Sequence, residues 1–86
     1  MSFEVFKTRQ MTKLLQLRSE LNNKYPEKRD RVNYIIDILV SRLQSVSEWN
    51  TLTDYLFTAY LACKEFSELC VLTEDKELDK ILHEVM

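Results

Sequence analysis

Not one of the 86 residues is glycine, and the only proline is Pro26. A β-rich fold of this size needs several tight hairpin turns, and the tightest of them want φ > 0, where glycine costs least. The chain is therefore expected to form long helices joined by few loops. It has length for one domain, residues 1–86, burying roughly 60–65% of the surface its unfolded form exposes. An apolar fraction of 45% against 30% charged residues is too apolar for intrinsic disorder.

The apolar periodicity changes phase at three places, which predicts four helices. Phe3, Phe6, Gln10, Leu14, Leu17 and Leu21 fall on one stripe with Met11 beside it, so helix one runs from about Phe3 to Leu21. Asn22 and Asn23 can supply a left-handed cap, and Pro26 forbids continuation. Helix two runs from about Pro26 or Lys28 to Gln44, with Val32, Ile35, Ile36, Leu39, Leu43 and Val46 inward. Its β-branched residues have strand character, but their 3–4 spacing decides for helix. Ser45 or Ser47 caps helix three, which runs from about Glu48 to Phe66. Trp49, Leu52, Leu56, Ala59, Tyr60 and Cys63 form its inner face. Ser67–Leu72 either extends that helix or makes an apolar connection. Thr73, followed by Glu74 and Asp75, reads as the N-cap of helix four, with Leu78, Ile81, Leu82 and Val85 inward. Long helices with short connections pack as antiparallel neighbours. The expected class is all-α, an antiparallel up-down four-helix bundle.

Composition also excludes several functions. A net charge of −2 leaves no basic excess for nucleic-acid binding. The basic cluster Lys24–Arg31 (KYPEKRDR) reads either as a solvated loop or as a phosphate or lipid contact, which leaves room for peripheral membrane association. The N-terminal stretch MSFEVFKTRQ lacks the apolar core of a signal peptide, and no run approaches the ~20 apolar residues of a membrane span. The expected location is cytoplasmic. Cys63 and Cys70 stand two turns apart if their helix is continuous, about 10.5 Å, too far for a disulfide. In a reducing compartment both read as small apolar core residues.

Chemistry-bearing arrangements are sparse. The only histidine, His83, lies off the helix-four stripe and reads as solvent-facing. A chain without glycine has no Gly-rich phosphate loop. The acidic pairs Glu74/Asp75 and Glu65/Glu68 read as solvated helix faces. No catalytic residue, metal or cofactor is expected. Helical chorismate mutases are of similar length and hold their dianion with arginines and a lysine, and Arg9, Arg18 and Arg42 could serve as such clamps. That architecture opens on one very long helix, however, and Asn22–Asn23 with Pro26 interrupt this chain early.

An outward apolar surface is the positive signal. With the inner face of helix three centred between Leu56 and Cys63, Phe57 and Leu61 project roughly 120–160° away. Tyr55 stands at the flank, and Tyr34 projects opposite the helix-two stripe. Apolar groups exposed together mark a partner site; alternatively, a neighbouring helix covers them. A generic helical adaptor or regulator, monomeric or dimeric, would use the same patch.

Leu52–Glu68 (LTDYLFTAYLACKEFSE) resembles the third helix of immunity proteins for pediocin-like (class IIa) bacteriocins, the enterocin A immunity-like group. These carry a segment of the type NYL-FTAY---K-RF-E. Tyr55, Leu56, Phe57, Thr58, Ala59, Tyr60, Lys64 and Phe66 carry the likeness, which extends over about Arg31–Glu68. It implies a cytoplasmic four-helix bundle that is not an enzyme. The bacteriocin seizes the membrane subunits of the mannose phosphotransferase permease and opens a pore. The immunity protein recognises that bacteriocin–receptor complex from the cytoplasmic side and blocks leakage, with specificity mainly in its C-terminal half. Many relatives are basic, whereas this chain is mildly acidic. Tyr34, Tyr55, Phe57, Leu61 and Lys64 are the candidate partner-binding residues; the oligomeric state is left open by the sequence.

Overall fold

A computed structural model describes residues 2–74. Helix α1 spans Phe3–Lys24, α2 spans Arg29–Ser45 and α3 spans Thr53–Glu65, with 3₁₀ segments at Pro26–Lys28, Trp49–Thr51 and Ser67–Leu72. Among the described residues there is no strand, and the class is all-α. The expected helix four, with its inward residues Leu78, Ile81, Leu82 and Val85, lies outside them, as do Asp75 and His83.

Helix α1 begins where the Ser2 hydroxyl accepts the Val5 amide at 3.2 Å, satisfying one of the first-turn donors that have no partner within a helix. Its stripe is the one the spacing predicts: Phe6, Gln10, Leu14, Leu17 and Leu21 are buried, with Phe3 and Met11 partly so. The helix does not stop at the asparagines. It continues to Lys24, and no described residue adopts positive φ. Asn22 instead donates its side-chain amide to Asn33 at 3.0 Å. The stop comes from Pro26, which denies its predecessor the helical region; Tyr25 sits at φ −126°, ψ 65°.

Helix α2 buries Val32, Ile35, Ile36, Leu39 and Leu43, and Val46 follows just beyond its end. Side chains of this size each contribute about 1.5–3 kcal/mol when fully buried. The polar contacts between α1 and α2 fix their relative direction. Lys7 Nζ donates to the carbonyls of Gln44 and Val46 at 3.2 and 2.9 Å, Arg18 pairs with Asp37 at 2.6 Å, and Asn22 meets Asn33. The start of one helix lies against the end of the other, so the two run antiparallel. Lys7 also satisfies carbonyls that the last turn of α2 leaves without intrahelical partners, at the negative end of its dipole.

Neither expected serine role at the start of α3 holds in the form predicted. The Ser45 hydroxyl turns back to the Ser41 carbonyl at 3.1 Å. The Thr51 hydroxyl brackets Glu48 instead, donating to its carbonyl at 2.9 Å and accepting its amide at 3.4 Å. Trp49 packs its ring edge-on to Phe3 and tilted against Phe6, each at 5.0 Å.

The end of α3 departs most from expectation. Phe66 is extended (φ −129°, ψ 105°), and Ser67–Leu72 winds as a 3₁₀ segment instead of prolonging the helix. Leu69 and Leu72 are buried, and the segment packs on both α1 and α3. This reversal brings the Cα atoms of Cys63 and Cys70 to 4.7 Å, and their sulfurs are joined in a disulfide. The separation expected from a continuous helix does not apply, because the helix ends between the two cysteines. Both are half-buried and bonded, so they are not the free core thiols predicted. Thr73, expected to cap helix four, donates its hydroxyl to the Cys70 carbonyl at 3.0 Å and closes the 3₁₀ segment.

Glu68 anchors the reversed segment to α1. Its carboxylate accepts from Lys24 Nζ at 2.9 Å and from the Tyr25 hydroxyl at 3.0 Å. The hydrogen bond from Lys24 holds the Glu68 carboxyl below its ordinary pKa, against the opposing effect of desolvation. A carboxyl whose folded-state pKa is depressed stabilises the fold above its unfolded pKa, and that contribution is lost as pH falls through the folded value. Glu68→Gln is therefore expected to flatten the acid limb of a stability-versus-pH curve below about pH 4.5, with little change in its shape near neutrality. Denaturant titrations at stepped pH check this, and identical acid limbs would remove the role assigned to Glu68.

Candidate functional site

Two neighbouring elements leave apolar side chains facing outward together. Tyr34 on α2 is 58% exposed, and Phe57 and Leu61 on α3 are 64% and 51% exposed. Phe57 and Leu61 are one turn apart on the same face of α3. Between α2 and α3 lies a cleft of about 210 Å³ whose walls include Tyr34, Ile35 and Ile38 from α2 and Thr58, Leu61 and Ala62 from α3. Tyr34 and Leu61 thus stand at one cleft.

Arg31 and Glu65 also line it. Arg31 Nε donates to Glu65 Oε2 at 2.8 Å, joining the start of α2 to the end of α3. The Arg31 guanidinium lies over the Tyr34 ring at 5.6 Å, within cation–π range. These contacts hold the tyrosine at the cleft without burying it. The adjoining cations are engaged as well. Lys24 pairs with Glu68, and the Lys28 ammonium lies 5.7 Å from the Tyr25 ring centroid and 5.9 Å from that of Phe66. The basic run Lys24–Arg31 therefore contributes much of its charge to internal contacts.

The candidate residues fall into three groups. Tyr34 and Leu61 line the cleft; Phe57, one turn from Leu61, and Lys64 are exposed on α3 outside the cleft lining. Tyr55 is not on the surface at all. It is 0% exposed, and its hydroxyl donates to Gln10 Oε1 at 2.7 Å inside the core. Burial pushes this phenol well above its usual pKa, so it stays protonated and remains a donor. The inner face of α3 is Leu52, Tyr55, Leu56, Ala59, Ala62 and Phe66, turned from the expected one. Tyr60, predicted inward, is 54% exposed, and Cys63 is only half-buried. Apolar residues on several sides of α3 leave its inward arc ambiguous by spacing alone. Gln10 on the α1 stripe was the available signal that the core held a polar partner.

Among the described residues no group of three or more His, Cys, Asp or Glu side chains is placed to hold a metal ion. Of the arginines weighed as anion clamps, Arg18 is tied to Asp37 and Arg42 is exposed beside Ser41. Among the described residues no helix is long and apolar enough to cross a membrane. No protein-family model matches the chain, and no curated protein or solved structure matches it.

Proposed function

We propose that this protein is a bacteriocin immunity protein of the pediocin-like type, an antiparallel up-down four-helix bundle that acts in the cytoplasm by binding and without catalysis. Its partner is the complex of bacteriocin with the membrane subunits of the mannose phosphotransferase permease, met from the cytoplasmic side. The observation that carries this proposal is the joint exposure of Tyr34 and Leu61 at the α2–α3 cleft, with Phe57 one turn away. Large apolar side chains exposed together suit a protein–protein anchor. The likeness of Leu52–Glu68 to the third helix of these immunity proteins supplies the partner. The antiparallel pairing of α1 with α2, and the Arg31–Glu65 link from the start of α2 to the end of α3, support the bundle.

Expression in a sensitive, permease-bearing strain is expected to raise survival against at least one pediocin-like peptide; no protection across a broad panel would reject the assignment. Leu61→Asp is expected to abolish most of that protection, and Phe57→Ala to weaken it, with thermal stability nearly unchanged for both. Collapse of stability in either variant would place that side chain in the core and remove the surface on which the proposal stands. The same patch would serve a self-associating adaptor, and sedimentation distinguishes the two through a tight homodimer that Leu61→Asp dissociates.

A further inference from the structure

We propose that Cys63 and Cys70 form a redox latch that selects between two conformations of the chain at the end of α3. The disulfide spans the point where α3 stops. It encloses Phe66, whose extended backbone turns the chain back, and it ends inside the 3₁₀ segment. The bond requires the reversal. On an unbroken helix the two residues would be about 10.5 Å apart, beyond any disulfide, whereas the reversed chain holds their Cα atoms at 4.7 Å. Oxidation is therefore possible in only one of the two conformations. By linkage, it must shift the population toward that one.

The alternative conformation is available to this sequence. No proline or glycine follows Pro26, so nothing covalent in Phe66–Leu72 forbids α3 from running on. Opposing it are the burial of Phe66, Leu69 and Leu72 and the hold of Lys24 and Tyr25 on Glu68. The Lys24 end of that pair is 61% exposed and the Glu68 end 21%, so solvent screens the ion pair from the lysine side. Both cysteines are half-buried and not sealed in the core, so a small thiol or disulfide can reach them.

The chemistry is exchange with a low-molecular-weight disulfide. One cysteine thiolate attacks it, forming a mixed disulfide and releasing one small thiol. The second cysteine thiolate then attacks the protein-side sulfur, closing Cys63–Cys70 and releasing the second small thiol. Two protein thiols are oxidised, one external disulfide is reduced, and the two cysteine protons pass to the departing thiolates. Reduction by excess small thiol runs the same steps backward. The latch is independent of the proposed partner and would operate in an adaptor equally well.

The test uses the full chain, labelled for NMR, equilibrated with reduced and oxidised glutathione at a series of ratios. Oxidised glutathione is expected to close the bond within one molecule, seen as loss of both alkylatable thiols without added glutathione mass. On reduction the Cα shifts of Phe66 and Ser67 are expected to move part-way toward helical values, because the burial of Phe66, Leu69 and Leu72 still favours the reversal, and the amides of Leu69 and Thr73 to shift, while those in the middle of α1 and α2 stay in place. Cys63→Ala/Cys70→Ala is expected to show the reduced-type shifts at every ratio. A mixed disulfide that never closes overturns the proposal. So do Phe66 and Ser67 shifts that are the same in both redox states, or a double variant that responds to glutathione as the wild type does.

Discussion

Tyr55→Ala is expected to destabilise the fold by about 3–5 kcal/mol, the usual cost of removing a large buried aromatic side chain. Tyr55 is fully buried, and its loss would open a cavity and remove the hydroxyl that Gln10 accepts. For a chain of this size the melting temperature should fall by roughly 10 °C or more. Phe57→Ala, two residues along the same helix, is expected to change stability by no more than about 0.5 kcal/mol, as surface substitutions do. Tyr55→Phe lies between them. It keeps the ring but leaves the buried Gln10 carbonyl oxygen without its donor, at about 1–3 kcal/mol. Urea unfolding of the three variants measures this order directly. Equal losses at Tyr55 and Phe57 would mean that α3 presents a different face to the core.

Breaking the Cys63–Cys70 bond is expected to lower global stability by about 2.5 kcal/mol, from the chain entropy regained by a short loop on unfolding. The sequence separation is only 7, so the effect is smaller than for a long-range bridge. The wild-type protein should show this drop on adding reductant, and Cys63→Ala/Cys70→Ala should sit near the reduced value whether or not reductant is present. A wild-type midpoint unmoved by reductant would show that the bond does not constrain the unfolded chain. In a reducing cytoplasm the thiol form would dominate. The proposed location therefore implies that the oxidised form is produced only under oxidative load.

Helices α1 and α2 were legible in the sequence because each carries one unbroken apolar stripe. Residues such as Phe6, Leu14, Val32 and Leu39 have polar neighbours on the opposite face, and a 3.6-residue period then leaves a single solution. Helix α3 was harder because it is apolar on several sides. Tyr55, Phe57, Ala59, Tyr60, Leu61 and Ala62 occur within eight residues, and composition does not say which arc faces inward. Packing against α2 and the Ser67–Leu72 segment decides it, with the bond from Tyr55 to Gln10 of α1 satisfying the buried hydroxyl. The cleft inherits that difficulty: Tyr34, Phe57 and Leu61 could be placed outward, but Tyr55 could not be placed inward without its partner. The stop after Glu65 had no local signal of the kind that Pro26 gives after α1. It is held by contacts distant in sequence, Leu69 and Leu72 in the core and Glu68 on Lys24, and by the disulfide. The spacing rule for cysteines failed because it assumed the very continuity that those contacts break.

Trp49 is the chain's single tryptophan, and its place against Phe3 and Phe6 has a practical consequence. Those rings lie in the first turn of α1, whereas Glu68, which sits in the loop closed by the disulfide, meets Lys24 in the last, about 30 Å away along a helix of 22 residues. The protein thus carries an intrinsic optical gauge at one extremity and its sulfur chemistry at the other. Indole emission should track melting of the whole fold while staying silent when only the far tip rearranges. Recording it beside thiol titration separates the two events without any added label.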